Sequence, residues 1–201
     1  MQQLKLFMLL LGCKPQGRHT EQHDIFFGIA PSLRDLVPAF TAFWPDAGKI
    51  HIDAWREVTG VDGYAVTVTD KRSLNDTGEN TPKLFFLNLG GYKEQEFEEY
   101  HYKILAVAAE KSDAIKQAKQ TAFYKHCHFK GADSHIDDKY GVDVDDIYQI
   151  ADILPDEMKE KYSLVLTPAT GIMEDAWHLG YTKVSTLLQS ESGADKVNSD
   201  K

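Results

Sequence analysis

Two apolar runs dominate the chain: Leu6 to Leu11 and Leu84 to Leu89 are hydrophobic on both alternations, or nearly so. Runs of that length, closed by Gly12 and by Gly90-Gly91, predict strands in the middle of a sheet, with both faces buried. A polar loop then leads in each case to a segment rich in β-formers, His23 to Ile29 and His101 to Val107. Helices are predicted next. Ser112-Asp113 is a helix start, followed by Ile115, Ala118, Ala122 and Phe123 on one face. Ser32 with Asp35 introduces Leu33, Leu36, Val37, Phe40 and Trp44, where Pro38 should kink the helix or delay its regular part. Lys49 to Trp55 and Tyr64 to Thr69 complete the first set as strands, with Ser134 to Asp137 and Ile147 to Ile153 as weaker counterparts.

The order of elements therefore recurs, and so do the residues. Lys5-Leu-Phe-Met-Leu-Leu-Leu-Gly12 returns 78 positions later as Lys83-Leu-Phe-Phe-Leu-Asn-Leu-Gly90, and nine of the 26 positions from 5 to 30 match those from 83 to 108. Glu21 and His23 align with Glu99 and His101, His51-Ile-Asp53 with His135-Ile-Asp137, and Gly60-Val-Asp62 with Gly141-Val-Asp143. Two copies of about 75 residues are too few and too long for a solenoid, so a pseudo-symmetric pair is expected. The expected division is 1–80 for the first copy, 81–155 for the second, and 156–201 for a C-terminal extension. The polar stretch Asp70 to Pro82 joins the copies. A short helix near Asp156 to Lys161, a strand Tyr162 to Leu166 and an amphipathic piece around Met173 to Leu179 should pack on the second copy. The small, polar tail beyond Gln189 is expected to be mobile.

Composition narrows the classes. With 201 residues, 42% apolar and 26% charged, the chain is an ordinary globular one. A net charge of −9 provides no general field for phosphates, so neither nucleic acid nor an anionic membrane is an expected partner. Cys13 and Cys127 are too few for a disulfide scaffold, and a reduced, cytoplasmic setting follows. Leu-Gly-Cys13 imitates a lipoprotein cleavage box, but the same apolar string recurs at Lys83, where no leader acts.

Taken together, L-F-x-L-x-L-G-[CG], E-x-H, H-I-D and V-D-G-Y or V-D-V-D, twice in one chain, resemble a proteobacterial family known as a domain of unknown function, present in one or two copies per protein. The resemblance spans roughly residues 4 to 155 and implies a bacterial, cytoplasmic protein with no catalytic residues to carry over.

The chemistry available lies in the repeated pairs. Glu21 and His23, two apart on a strand, present their side chains to one sheet face, as do Glu99 and His101. His51 with Asp53, and His135 with Asp137, repeat the arrangement. Two imidazoles and one or two carboxylates per copy suit a divalent transition metal with a position open to water. The competing reading makes these histidines partly buried packing residues, hydrogen-bonded to backbone or to the aspartates. His126-Cys127-His128 is a second group of ligand types, usable only if a turn gathers them. Asp143-Val-Asp145-Asp146 imitates a calcium loop, but Leu154 occupies the place of the closing glutamate. No G-x-S-x-G elbow, phosphate loop or dinucleotide fingerprint is present, and Cys13 ends a buried run.

These observations predict an α+β protein of two pseudo-symmetric ββαββ repeats, antiparallel sheet covered by helices, plus the C-terminal extension. For function they predict a non-catalytic binding or interaction module for a protein or small-molecule partner, with no obligatory cofactor. The alternative is a metal-binding protein or metal-dependent enzyme using the duplicated E-x-H and H-I-D residues.

Overall fold

The computed structural model describes residues 3–73, 81–92, 95–120, 142–173 and 175–189. Within these the protein is α+β, with antiparallel sheets and few, short helices. The described residues form two compact units, one of 3–59, 155–158 and 175–189, the other within 60–154 and 159–173.

In the first unit the apolar run becomes β1 (Lys5–Cys13), whose residues are buried almost throughout and whose two edges are both paired with strands. β2 (Gln22–Ala30) pairs on one side with Gly12 opposite His23, and β3 (His51–Glu57) on the other with Gly12 opposite His51. Between them, α1 (Val37–Phe43) lays Val37 and Phe40 on the core. Pro38 acts as expected: a single 3-10 turn over Arg34–Leu36 precedes α1, whose first turn holds the proline. The Ser32 hydroxyl donates to Asp35 Oδ2 at 2.7 Å, so the two side chains pair with each other instead of capping the backbone. Phe7, Leu9, Leu11, Phe26, Leu36, Phe40 and Ile52 form the core of this unit.

The second unit repeats the central motif. β6 (Lys83–Tyr92) is flanked by β7 (Glu99–Ala108) and β8 (Val142–Gln149), with Gly90 opposite both His101 and Asp143. Here α2 (Lys111–Ala118) buries Ala114 and Ala118. Its cap position is Glu110, two residues before the expected Ser112, while Ala122 and Phe123 lie outside the described residues. Phe85, Leu87, Leu89 and Ala106 form the core with those alanines. A further sheet of β4 (Gly60–Val61), β5 (Tyr64–Asp70) and β9 (Tyr162–Pro168) belongs to this unit. Asp62 and Gly63 join β4 to β5 with φ of 50° and 78°, the positive pair that a two-residue Asp-Gly hairpin turn requires. The V-D-G-Y motif is thus a turn. Asp62 Oδ2 also accepts from the Val107 amide at 2.8 Å.

Several sequence expectations need correction. Strands Gly60–Val61 and Tyr64–Asp70, assigned by the repeat to the first copy, fold in the second unit, because β5 finds its partner in β9. V-D-V-D, the expected counterpart of V-D-G-Y, differs from it in structure: it is the start of β8. Ile147 to Ile153 is not one strand: β8 ends at Gln149, and Ile150–Ile153 turns into a helix. That turn buries Ile150 and Leu154 together, and Leu154 becomes extended because Pro155 follows it. The extension does not pack on the second copy alone. Asp156–Lys161 is helical and β9 joins the second unit, but β10 (His178–Lys183) pairs with β3, and the helix Val184–Gln189 follows it in the first unit. In the piece around Met173 to Leu179, the apolar Met173, Trp177 and Leu179 are exposed instead of packed. Ser134 to Asp137 and the tail 190–201 lie outside the described residues. No helix among the described residues is long and apolar enough to cross a membrane.

Candidate functional site

Register assembles the site. In an antiparallel ladder, residues directly opposite share a face, so His23 and His51 flank Gly12 on the same side of the sheet. Glu21 precedes His23 by two and follows the same alternation. Asp53 arrives by a different route. Leu11 pairs with Ile52 and Leu10 with Ala54, leaving Asp53 as the extra residue of a β-bulge. Bulges re-aim a side chain, and this one turns the Asp53 carboxylate toward the histidines.

The four side chains close into a ring that alternates nitrogen and oxygen. His51 Nε2 lies 3.2 Å from Glu21 Oε1 and 3.3 Å from Asp53 Oδ1. His23 Nε2 lies 3.2 Å from Asp53 Oδ2 and 3.8 Å from Glu21 Oε2. These approaches are not hydrogen bonds: His51 Nε2 and Asp53 Oδ2 are buried and have no hydrogen-bond partner. Buried polar atoms without partners cost about 1–3 kcal/mol each, so two of them aimed at one point need a reason. The side chains of His51 and Asp53 are 6% and 24% exposed, against 46% and 43% for Glu21 and His23, so the ring has a buried wall and a wall open to water.

Gly12 makes the ring sterically feasible. A Cβ there would fall inside the van der Waals envelope of Asp53 Oδ2 and His51 Nε2 and 2.9 Å from His51 Cε1. On its outer side His51 is covered by Tyr181, whose ring centroid is 4.4 Å away. Tyr181 reaches it from a second irregularity, since Gly180 and Tyr181 are looped out between Leu179, opposite Ala54, and Thr182, opposite Ile52. Gly180 takes a φ of 121° there, which a side chain would resist. His178 stacks flat on Trp55 at 3.8 Å and holds the other end of β10.

The second unit carries a related but different cluster. Glu99, His101 and Asp145 each bring a ligand atom within 4.8 Å of the others, and His101 Nε2 lies 3.4 Å from Asp145 Oδ2. The bulge recurs, with Asp145 the extra residue between Val144, opposite Leu89, and Asp146, opposite Asn88. Gly90 again supplies the clearance, its absent Cβ leaving room for the Asp145 carboxylate. By backbone register Asp143 is opposite Gly90 as His51 is opposite Gly12, and the cluster's three residues, Glu99, His101 and Asp145, are exposed.

Of the residues expected to act together, the structure gathers Glu21, His23, His51 and Asp53, and separately Glu99 and His101. His135, Asp137 and His126-Cys127-His128 lie outside the described residues. Sequence alignment had paired His51-Ile-Asp53 with His135-Ile-Asp137; the strand beside β6 instead places Asp143-Val-Asp145 there. Asp145 is left out of the candidate ligands read from the sequence because V-D-V-D is taken there as the counterpart of V-D-G-Y and its acids are weighed only as a calcium loop, which is rejected. Its signal was the alternation Val142, Val144 with acids between, which marks a strand.

Cys13 takes no part in this chemistry. It pairs with Gln22, one residue out of step with Gly12 and His23, and alternation turns it to the opposite, buried face. Burial first, and the Glu21 charge second, push its thiol above the ordinary range, which disfavours the reactive thiolate. Native protein should therefore leave Cys13 unalkylated by iodoacetamide at pH 8, whereas urea-unfolded protein should be fully alkylated, as read by mass spectrometry of the Cys13 peptide. Rapid native labelling at Cys13 would contradict the burial.

Comparison with known proteins agrees with the architecture and assigns no activity. A family model described as Domain of Unknown Function (DUF1543) matches residues 18–68, the segment holding Glu21, His23, His51 and Asp53. The chain is similar to a solved structure, "Crystal structure of a protein Il1583 from Idiomarina loihiensis", at 24% identity and a TM-score of 0.59, over 90% of this chain and 97% of that one. At that identity the likeness speaks for the fold alone. A search of curated proteins finds no match.

Proposed function

We propose that this protein binds a divalent transition-metal ion through Glu21, His23, His51 and Asp53. The observation that carries the reading is the pair of buried atoms without a hydrogen bond, His51 Nε2 and Asp53 Oδ2, set in a ring of alternating nitrogen and oxygen. Two ligands held about 2.1 Å from one ion, at a right or tetrahedral angle, stand about 3.0–3.4 Å apart, which is the spacing of three of the four edges here. Two imidazoles with two carboxylates suit zinc, iron or manganese better than calcium or magnesium. A packing role for His51 would favour a hydrogen bond at the buried nitrogen, whereas here Glu21 Oε1 and Asp53 Oδ1 approach it at 3.2 and 3.3 Å without forming one.

The same reading treats the two β-trios as copies of one duplicated, proteobacterial unit, supported by matching strand order, register and bulge position around Gly12 and Gly90. Glu99, His101 and Asp145 are then a companion site of two carboxylates and one imidazole. A reduced, cytoplasmic setting is supported by two cysteines in 201 residues, of which Cys13 is free.

Elemental mass spectrometry of untagged protein, purified without added metal or chelator, tests the reading. About one equivalent of zinc, iron or manganese is expected, lost in His51→Ala and in His23→Ala while both variants keep the wild-type circular dichroism. Protein that stays empty when all three metals are offered, with no rise in melting temperature, would overturn it.

A further inference from the structure

We infer that the metal centre of the first unit takes a small oxyanion, a carboxylate or phosphate group, as its exchangeable ligand, recognised by a rim of unpaired cations. The inference rests on the metal reading above and adds what the metal is there to hold.

Topology places the cations. β1 ends at Cys13, β2 begins at Gln22, β3 begins at His51 and β10 ends at Lys183, so all four strands present the same end of the sheet at the ring. Lys14, Arg18, Lys49 and Lys183 all lie at that end. Lys183 is directly opposite His51, which puts both side chains on one face. Lys14 follows Gly12 by two and Lys49 precedes His51 by two, each continuing the alternation of the site face just beyond its strand. Arg18 sits in the loop that leads into Glu21.

None of these four side chains makes a hydrogen bond or ion pair among the described residues, and all four are exposed. At the other end of the same sheet Lys5 is paired, with Glu57 Oε1 at 2.7 Å. Among the described residues, four cations at one end of one sheet thus have no carboxylate paired to them, in a chain whose net charge is −9.

Charge then selects the ligand. A divalent ion is balanced by the Glu21 and Asp53 carboxylates, the imidazoles bind as neutral groups, and the rim adds positive charge that an anion would neutralise. The open wall, on the half-exposed Glu21 and His23 side, gives such a ligand access, while Tyr181 closes the His51 side with an aromatic face. A carboxylate or phosphate oxygen would complete the coordination of the ion, its remaining oxygens accepting from the lysines or from Arg18.

Cobalt substitution tests this with the full chain. Cobalt(II) added to metal-free protein is expected to give the visible bands of a low-symmetry nitrogen and oxygen site, and inorganic phosphate and acetate are each expected to shift them. Lys183→Ala, exposed and outside the ring, is expected to keep the cobalt spectrum and weaken phosphate about tenfold, with a further loss in Lys14→Ala/Lys183→Ala. A shift with phosphate alone, or with acetate alone, supports the inference and assigns the source. Cobalt bands that ignore both anions, or equal anion affinity in wild type and the double variant, overturn the inference and leave the metal reading standing. Failure to bind cobalt at all overturns the metal reading itself.

Discussion

Gly12→Ala is expected to empty the metal site, lowering metal affinity by about 100-fold or more, and to destabilise the first unit by about 1–3 kcal/mol. The new methyl group would be directed between Asp53 Oδ2 and His51 Nε2, the two atoms on the buried wall of the ring. Neither can retreat cheaply. His51 is held between the sheet and the Tyr181 ring, and Asp53 is fixed by the bulge that its own backbone forms. The histidine must leave its rotamer or β1 must separate from β3, and either movement breaks the alternation of nitrogen and oxygen around the ring. Gly90→Ala makes an instructive comparison, because the clash there is with Asp145, whose side chain is 30% exposed and can swing toward water. Its cost should be smaller, with binding at the second cluster reduced and the fold retained. Metal stoichiometry together with urea unfolding separates the two effects. A Gly12→Ala protein that kept stoichiometric metal and wild-type stability would mean that the ring is not the ligand set.

What could be read in the sequence depended on how locally each feature is encoded. The central strands were legible because burial on both faces leaves an unbroken apolar run, and the closing glycines mark its end. Pairing of Glu21 with His23 on one face followed from a two-residue repeat alone. Pro38 was legible for a similar reason, since a fixed φ and a missing donor act within one turn. Asp53 was expected on the right strand for an incomplete reason: a bulge, which no periodicity announces, carries its carboxylate to the histidines. In the second unit the identical string H-I-D at His135 drew the alignment away from Asp143-Val-Asp145, the residues the ladder places beside β6. Pairing of β10 with β3 and of β5 with β9 brings together segments about a hundred residues apart, and only tertiary packing decides such choices. Met173 to Leu179 reads as an amphipathic piece because it is apolar at Met173, Trp177 and Leu179, yet these are exposed, and Leu179 lies on the edge strand β10 whose Tyr181 walls the site.

Phe40→Ala is expected to cost about 3–5 kcal/mol, a large fraction of the roughly 5–15 kcal/mol that keeps a domain folded. Phe40 is fully buried and meets Phe26 nearly edge-on, ring centroids 6.2 Å apart. Its helix spans only seven residues, includes Pro38 and has no side-chain cap, so it is too short to persist without tertiary contacts. Removing the ring therefore withdraws what docks α1 as well as leaving a cavity. The consequence extends to the site, because Phe26 belongs to β2, the strand that begins beside Glu21 and carries His23. A loosened β2 lets one imidazole and one carboxylate drift from the ring while His51 and Asp53 stay in place. Metal should then bind more weakly although no ligand has been changed, and added metal should restore part of the lost stability by mass action. Phe43→Ala is the control: Phe43 also lies against Phe26, at 5.5 Å, but is 45% exposed and should cost about 1 kcal/mol. Thermal melts with and without metal distinguish the two variants. Equal losses would show that α1 is held by its rim and not by Phe40; a large loss confined to Phe40→Ala, partly recovered by metal, ties the stability of the helix to the integrity of the ligand ring.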